Sequence, residues 1–181
     1  MKFKTWKTIK LGTGPQTFAD FCKKLETEKC FFVNGIARVN DDEPLDLILH
    51  PQSGEVEVAL VNVSIAELGL CDPENRRGGR QSEAYPEIRD RAERFGLGIC
   101  SLETALQLCL GYQDEPNTTS EILNVAIEQF NVSREKCLDP DHHIFILGLY
   151  HDAEGRKICP VGADSLQQFH HTDRFVFLQS R

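Results

Sequence analysis

The residues best equipped for chemistry gather in the last third of this 181-residue chain. Asp139, Asp141, His142, His143, His151 and Asp152 flank one expected strand, and His170 and His171 stand just before another. Imidazoles and carboxylates are the ligands that transition metals accept. His143 and His151 lie about eight rises of about 3.3 Å apart on an extended strand, too far to share one ion. The candidate metal ligands are therefore His142 and His143 from one strand with His170 and His171 from the other, should those strands pair. No Glu-x-x-His or His-x-x-x-His spacing reinforces the set. Polar residues at strand ends and turns account for the same pattern without a metal.

A thiol nucleophile needs a base or a helix N-terminus beside it to form thiolate. Cys100 directly precedes the helix expected to open at Ser101, where such a shift is available. The competing reading is burial, since Cys22 and Cys109 already fall on apolar helix stripes and cysteine is often simply core. Arg76, Arg77 and Arg80, with Gly78 and Gly79 between them, form a loop whose guanidinium groups suit a phosphate or carboxylate. It lacks the Gly-Lys-Ser/Thr ending of a Walker loop, and a solvated loop explains it equally. The segments 86–95 and 101–110 have the spacing of a helix-turn-helix. The polar positions of the second, Glu103, Thr104 and Gln107, include no Lys or Arg to read DNA. No Gly-x-Ser-x-Gly elbow is present.

The elements that must position these groups are read from periodicity. Phe3 to Leu11 alternates apolar and basic residues, as a half-buried strand does. Thr17 is a suitable N-cap, followed by Phe18, Phe21, Cys22 and Leu25 on one helical stripe. The runs 45–49 and 55–63 read as strands, separated by the turn residues Pro51 to Gly54. Ser64 with Glu67 fits a capping box opening a short helix before Gly69. Residues 71–82 read as an exposed loop. Pro86 suits the first turn of a helix running to Phe95, with Tyr85, Ile88, Ala92 and Phe95 on one face and Gly96 as its cap. Ser101 caps a helix to about Leu110, with Leu102, Ala105, Leu106, Cys109 and Leu110 on its apolar side. The segment 121–130 suits strand or helix. Residues 143–150 form a strand, 152–155 a hairpin turn, 157–161 the return strand and 174–179 the closing strand.

Composition narrows the function classes. Twenty basic against 28 acidic residues give a net charge of -8, which argues against nucleic acid, where affinity comes from Lys and Arg. It argues equally against anionic membrane surfaces. No stretch approaches the roughly 20 apolar residues that span a bilayer. The seven cysteines include no Cys-x-x-Cys pair, and no signal-peptide run appears near Met1. A cytoplasmic protein with reduced thiols is expected, and the Asn-x-Ser/Thr sites at Asn62, Asn117 and Asn131 are then chance matches.

Several patches have a familiar look. The opening Lys4-Thr5-Trp6-Lys7-Thr8-Ile9-Lys10-Leu11-Gly12-Thr13-Gly14 resembles that of a group of uncharacterised bacterial proteins. Similar to theirs are the segments 61–69, 94–100, 107–116 and 173–178. The resemblance implies a bacterial, intracellular protein and brings no activity, cofactor or site residue.

The expectation is one α+β domain over 1–181: mixed strands in the N-terminal half, a central helical pair and a C-terminal antiparallel sheet. The expected function is a non-enzymatic intracellular binding or interaction protein, with a protein or a small anionic ligand as partner and no cofactor. The alternative is a small metal-dependent hydrolase or transferase using the His/Asp cluster.

Overall fold

Alternation, caps and turn residues set most of the local structure. The computed structural model describes residues 2–33, 49–70, 82–112, 122–131, 144–164 and 167–179. Strand β1 (Lys7–Leu11) buries Leu11 and half-buries Ile9, while Thr8 and Lys10 face solvent. Helix α1 (Phe18–Thr27) starts at Thr17, whose Oγ1 accepts the Asp20 N–H at 3.1 Å, and buries Phe18, Phe21 and Leu25. Strands β2 (Cys30–Phe32) and β3 (Val56–Ser64) follow. Most of the expected 45–49 strand lies outside the described residues. Ser64 and Glu67 exchange the two reciprocal bonds of a capping box, at 2.7 and 3.2 Å, but enclose a turn rather than a helix. Gly69, at φ 68°, redirects the chain too soon for helix to propagate.

Next come β4 (Ser82–Glu83), α2 (Tyr85–Arg94), β5 (Leu97–Gly98) and α3 (Leu102–Gly111). The remainder is sheet: β6 (Leu123–Asn131), β7 (Ile144–Asp152), β8 (Gly155–Gly162), β9 (Phe169–His170) and β10 (Arg174–Gln179). Of the segment expected as strand or helix, the part from Leu123 onward is strand. One large sheet runs β1-β3-β10-β6-β7-β8-β2, with β5 also pairing to β10, and β4 and β9 form a separate ribbon. The fold is mixed α and β, mostly sheet.

Two expectations need correction. The last third is not a separate antiparallel sheet: β10 runs parallel to β6 and antiparallel to β3, and β8 runs parallel to β2. N-terminal strands thus occupy both edges of a sheet whose centre comes from the C-terminal half. Nor do α2 and α3 act as a central pair. Strand β5 intervenes on β10, and Cys100 bridges to Ile127. Helix α2 packs on β5, whereas α3 lies against β1, β6 and β8.

Helix α3 is buried on most sides, including its polar positions Glu103 and Thr104. Such burial is tolerable only if the polar groups are paired. Thr104 is tied to the Ser101 cap, whose Oγ accepts its N–H at 3.1 Å. Glu103 accepts the Gly12 N–H at 2.7 Å and the Gln52 N–H at 2.9 Å, fastening two surface turns to the helix. Those turns touch: a Cβ on Gly12 (φ 75°) would stand 2.0 Å from the Gly54 carbonyl oxygen. Both sheet edges reach α3, β1 by packing along it and β2 through Cys30 against Cys109. The apolar cluster running from Phe18 to Phe177 fills the space between.

Candidate functional site

Where α1 and α3 end, their last carbonyls need partners that the helices cannot supply. A single side chain reaches three of them. Arg156 follows Gly155 in the β7–β8 hairpin and is only 9% exposed. Its guanidinium donates to the Cys109 carbonyl at 2.9 Å and to the Leu110 carbonyl, both at the end of α3, and to the Glu28 carbonyl at the end of α1, at 2.5 Å. A cation facing two helix C-termini is also favoured by both macrodipoles. Local geometry delivers it there. Asp152 Oδ1 accepts the Glu154 and Gly155 N–H groups, closing the hairpin. Gly155, at φ 138°, lets the Lys29 carbonyl approach to where a Cβ would stand 2.6 Å away. The Arg156 N–H then donates to Lys29 O at 3.2 Å, which starts the parallel pairing of β2 with β8.

The same two helix ends, with β1, border an open cleft of about 410 Å³. Ile9, Lys10 and Thr13 line one side, Lys24 and Glu28 another, and Gln107, Leu110 and Gly111 a third. That volume is within the range of small-molecule sites. Lys10 pairs with Glu55 at 2.5 Å, with both side chains more than half exposed, and this carboxylate holds the ammonium pKa above its usual value. Gln107 is the unusual member. Its Nε2 is buried and has no hydrogen-bond partner among the described residues. Gly14 makes room for it, since a Cβ there would stand 2.3 Å from Nε2.

Behind the cleft wall, Cys30 and Cys109 are both about 1% exposed, with their sulfurs 3.2 Å apart. The Cys109 thiol donates to the Cys30 sulfur, which draws the Cys30 pKa below its usual value; burial opposes this and the Arg156 charge assists it. The same contact, with burial, holds Cys109 well above its usual value.

The expected sites fare differently. Arg76, Arg77 and Arg80 lie outside the described residues, as do His142 and His143. His170 is exposed on β9, its N–H donating to Asp173 Oδ2 at 2.8 Å, and His171 begins the turn that follows. Among the described residues, no three His, Cys, Asp or Glu side chains are grouped to hold a metal. Cys100 is not an activated thiol. Its N–H is bonded to Ala126 O at 2.6 Å, its side chain is buried, and burial drives its pKa up. The α3 face required for a helix-turn-helix is buried, since Glu103 and Thr104 point inward.

Sequence reasoning missed Arg156, Lys10 and Lys24, and treated Gln107 only as a DNA-facing position. A charged pair, Arg156-Lys157, opening an otherwise apolar strand was the available signal for the first. Gln107 sits among apolar neighbours on a helix with few polar residues, but no periodicity shows that its amide lacks a partner. No helix among the described residues is long and apolar enough to cross a membrane. Neither protein-family profiles, nor curated proteins, nor solved structures yield a match to this chain.

Proposed function

We propose that this protein is a non-enzymatic binder of a small organic anion, held in the cleft between β1 and the C-terminal ends of α1 and α3. The single observation behind this reading is the buried Gln107 Nε2, which has no hydrogen-bond partner among the described residues and belongs to a side chain that lines the cleft. Leaving such a donor unmet costs about 1–3 kcal/mol, and a ligand oxygen removes that cost. Arg156 occupies the negative ends of both helices, so Lys24, and Lys10 in its pair with Glu55, bring positive charge to the cleft, while Ile9 and Leu110 offer apolar surface to a short carbon body. Glu28 and the Thr13 hydroxyl favour a ligand that also carries a donor, such as a hydroxy- or amino-substituted carboxylate. Among the described residues lining the cleft none pairs a nucleophile with a base, which favours binding without turnover. The resemblance to bacterial proteins adds a bacterial, cytoplasmic setting to this reading, in which such metabolites are abundant.

Calorimetric titration with a panel of hydroxy-, amino- and unsubstituted carboxylates tests it. At least one should bind, and Gln107→Leu, which keeps bulk and removes the amide, should weaken it about 10- to 100-fold. Unchanged affinity in that variant, or chemical conversion of the bound compound followed by NMR, would overturn the proposal.

A further inference from the structure

We propose that Cys30 and Cys109 form a reversible intrachain disulfide, making the junction of β2 with α3 a site of oxidation. Five free thiols lie among the described residues, and only this pair has its sulfurs in contact, at 3.2 Å. A disulfide needs about 2.05 Å, so closing it takes a movement of roughly 1 Å. The two thiols are not equivalent. Cys30 receives the Cys109 proton donor and faces the Arg156 guanidinium, both of which favour its thiolate. Cys109 is the donor and stays protonated. That asymmetry assigns an attacking and a resolving role. Access comes through β2, a three-residue strand at the sheet edge, where local opening costs least.

The oxidant is hydrogen peroxide or another small hydroperoxide. The Cys30 thiolate attacks one peroxide oxygen, the O–O bond breaks, and hydroxide leaves with the bonding electrons, giving a sulfenic acid on Cys30. The Cys109 sulfur gives up its proton and attacks the Cys30 sulfur. The S–O bond breaks and its oxygen leaves as water. Two thiols are oxidised to one disulfide, and one peroxide is reduced to two waters. The product ties α3 to β2 directly behind Leu110 and Glu28, so the cleft wall becomes covalently fixed. This inference stands on the cysteine geometry and does not require the cleft to bind an anion.

The test is mild peroxide treatment of the full chain, followed by peptide mapping without reduction. The expected result is a Cys30–Cys109 cross-linked peptide, a mass lower by two hydrogens, and a melting temperature raised by about 10 °C that a dithiol reductant reverses. In Cys109→Ala the resolving thiol is gone, so Cys30 should accumulate sulfenic acid trapped by a 1,3-dione. In Cys30→Ala, Cys109 should stay unmodified. A different cysteine pairing, over-oxidation of Cys30 without a cross-link in the unaltered chain, or no reaction at either residue would overturn the inference. Should a variant fail to fold, the mapping of the unaltered chain still decides.

Discussion

Replacing Arg156 with Met removes the fork that caps two helices while keeping the length and apolar bulk of the side chain. Three carbonyls lose their donor, but unequally. Cys109 O still receives the Tyr112 N–H at 3.3 Å and the Cys30 thiol at 3.5 Å. The Glu28 and Leu110 carbonyls lose the Arg156 bonds that hold them. Two hydrogen bonds to a charged donor contribute about 1.5–2 kcal/mol each. Subtracting the relief of no longer dehydrating a guanidinium leaves a loss of about 3 kcal/mol. At roughly 2–4 °C per kcal/mol for a chain of this length, the melting temperature should fall by about 9 °C. Urea unfolding followed by circular dichroism measures the free energy directly. Arg156→Lys keeps the charge but not the fork and should recover about half of the loss. A loss below about 1 kcal/mol for Arg156→Met, or a Lys variant equal to the unaltered protein, would refute the claim that one planar cation fastens both helix ends.

Other consequences follow from the same contacts. Glu103→Gln should cost about 1–2 kcal/mol and Glu103→Ala about 3 kcal/mol in urea unfolding, because the amide keeps one acceptor for the Gly12 and Gln52 N–H groups while alanine keeps none. Gly12→Ala should lower the melting temperature by at least 5 °C, since it combines a left-handed φ with a clash against backbone, worth about 2 kcal/mol or more. Burial raises the Cys159 thiol from 9.0 to about 11. Its folded-state pKa lies above its unfolded one, so its contribution is complete below pH 9 and is lost as pH rises to about 11. Thermal melts across that window should show about 2 kcal/mol less of this loss in Cys159→Ala, and an unchanged alkaline slope would count against it.

Local chemistry was legible wherever one residue type decides a backbone outcome. Thr17 and Ser101 cap their helices through the hydroxyls that the sequence offers, and Gly96, at φ 75°, ends α2. The hairpin at Asp152 to Gly155 follows from an Asx turn and one glycine. Pairing partners were not legible. Hydrophobic alternation says that β10 and β6, or β2 and β8, are strands; it does not distinguish parallel from antiparallel neighbours distant in sequence. The inward turn of Glu103 escaped notice for a related reason. Its partners are backbone N–H groups at Gly12 and Gln52, and backbone donors leave no mark in a sequence. Cys100 shows the opposite error. Adjacency to a helix N-terminus suggested activation, whereas the thiol points into the core and burial outweighs any dipole. Arg156 and Gln107 draw their significance from where three elements end, which only the assembled sheet determines.

The Gln107 side-chain amide, observed as its ¹⁵N–¹H pair in solution NMR during titration with a small hydroxy- or amino-substituted carboxylate, interrogates the cleft at the atom on which the reading rests. Saturable displacement of that pair, accompanied by Thr13 and Gly111 and abolished in Gln107→Leu, is the predicted outcome. An amide resonance that stays in place while another surface responds, or while nothing responds across the carboxylate panel, would contradict it.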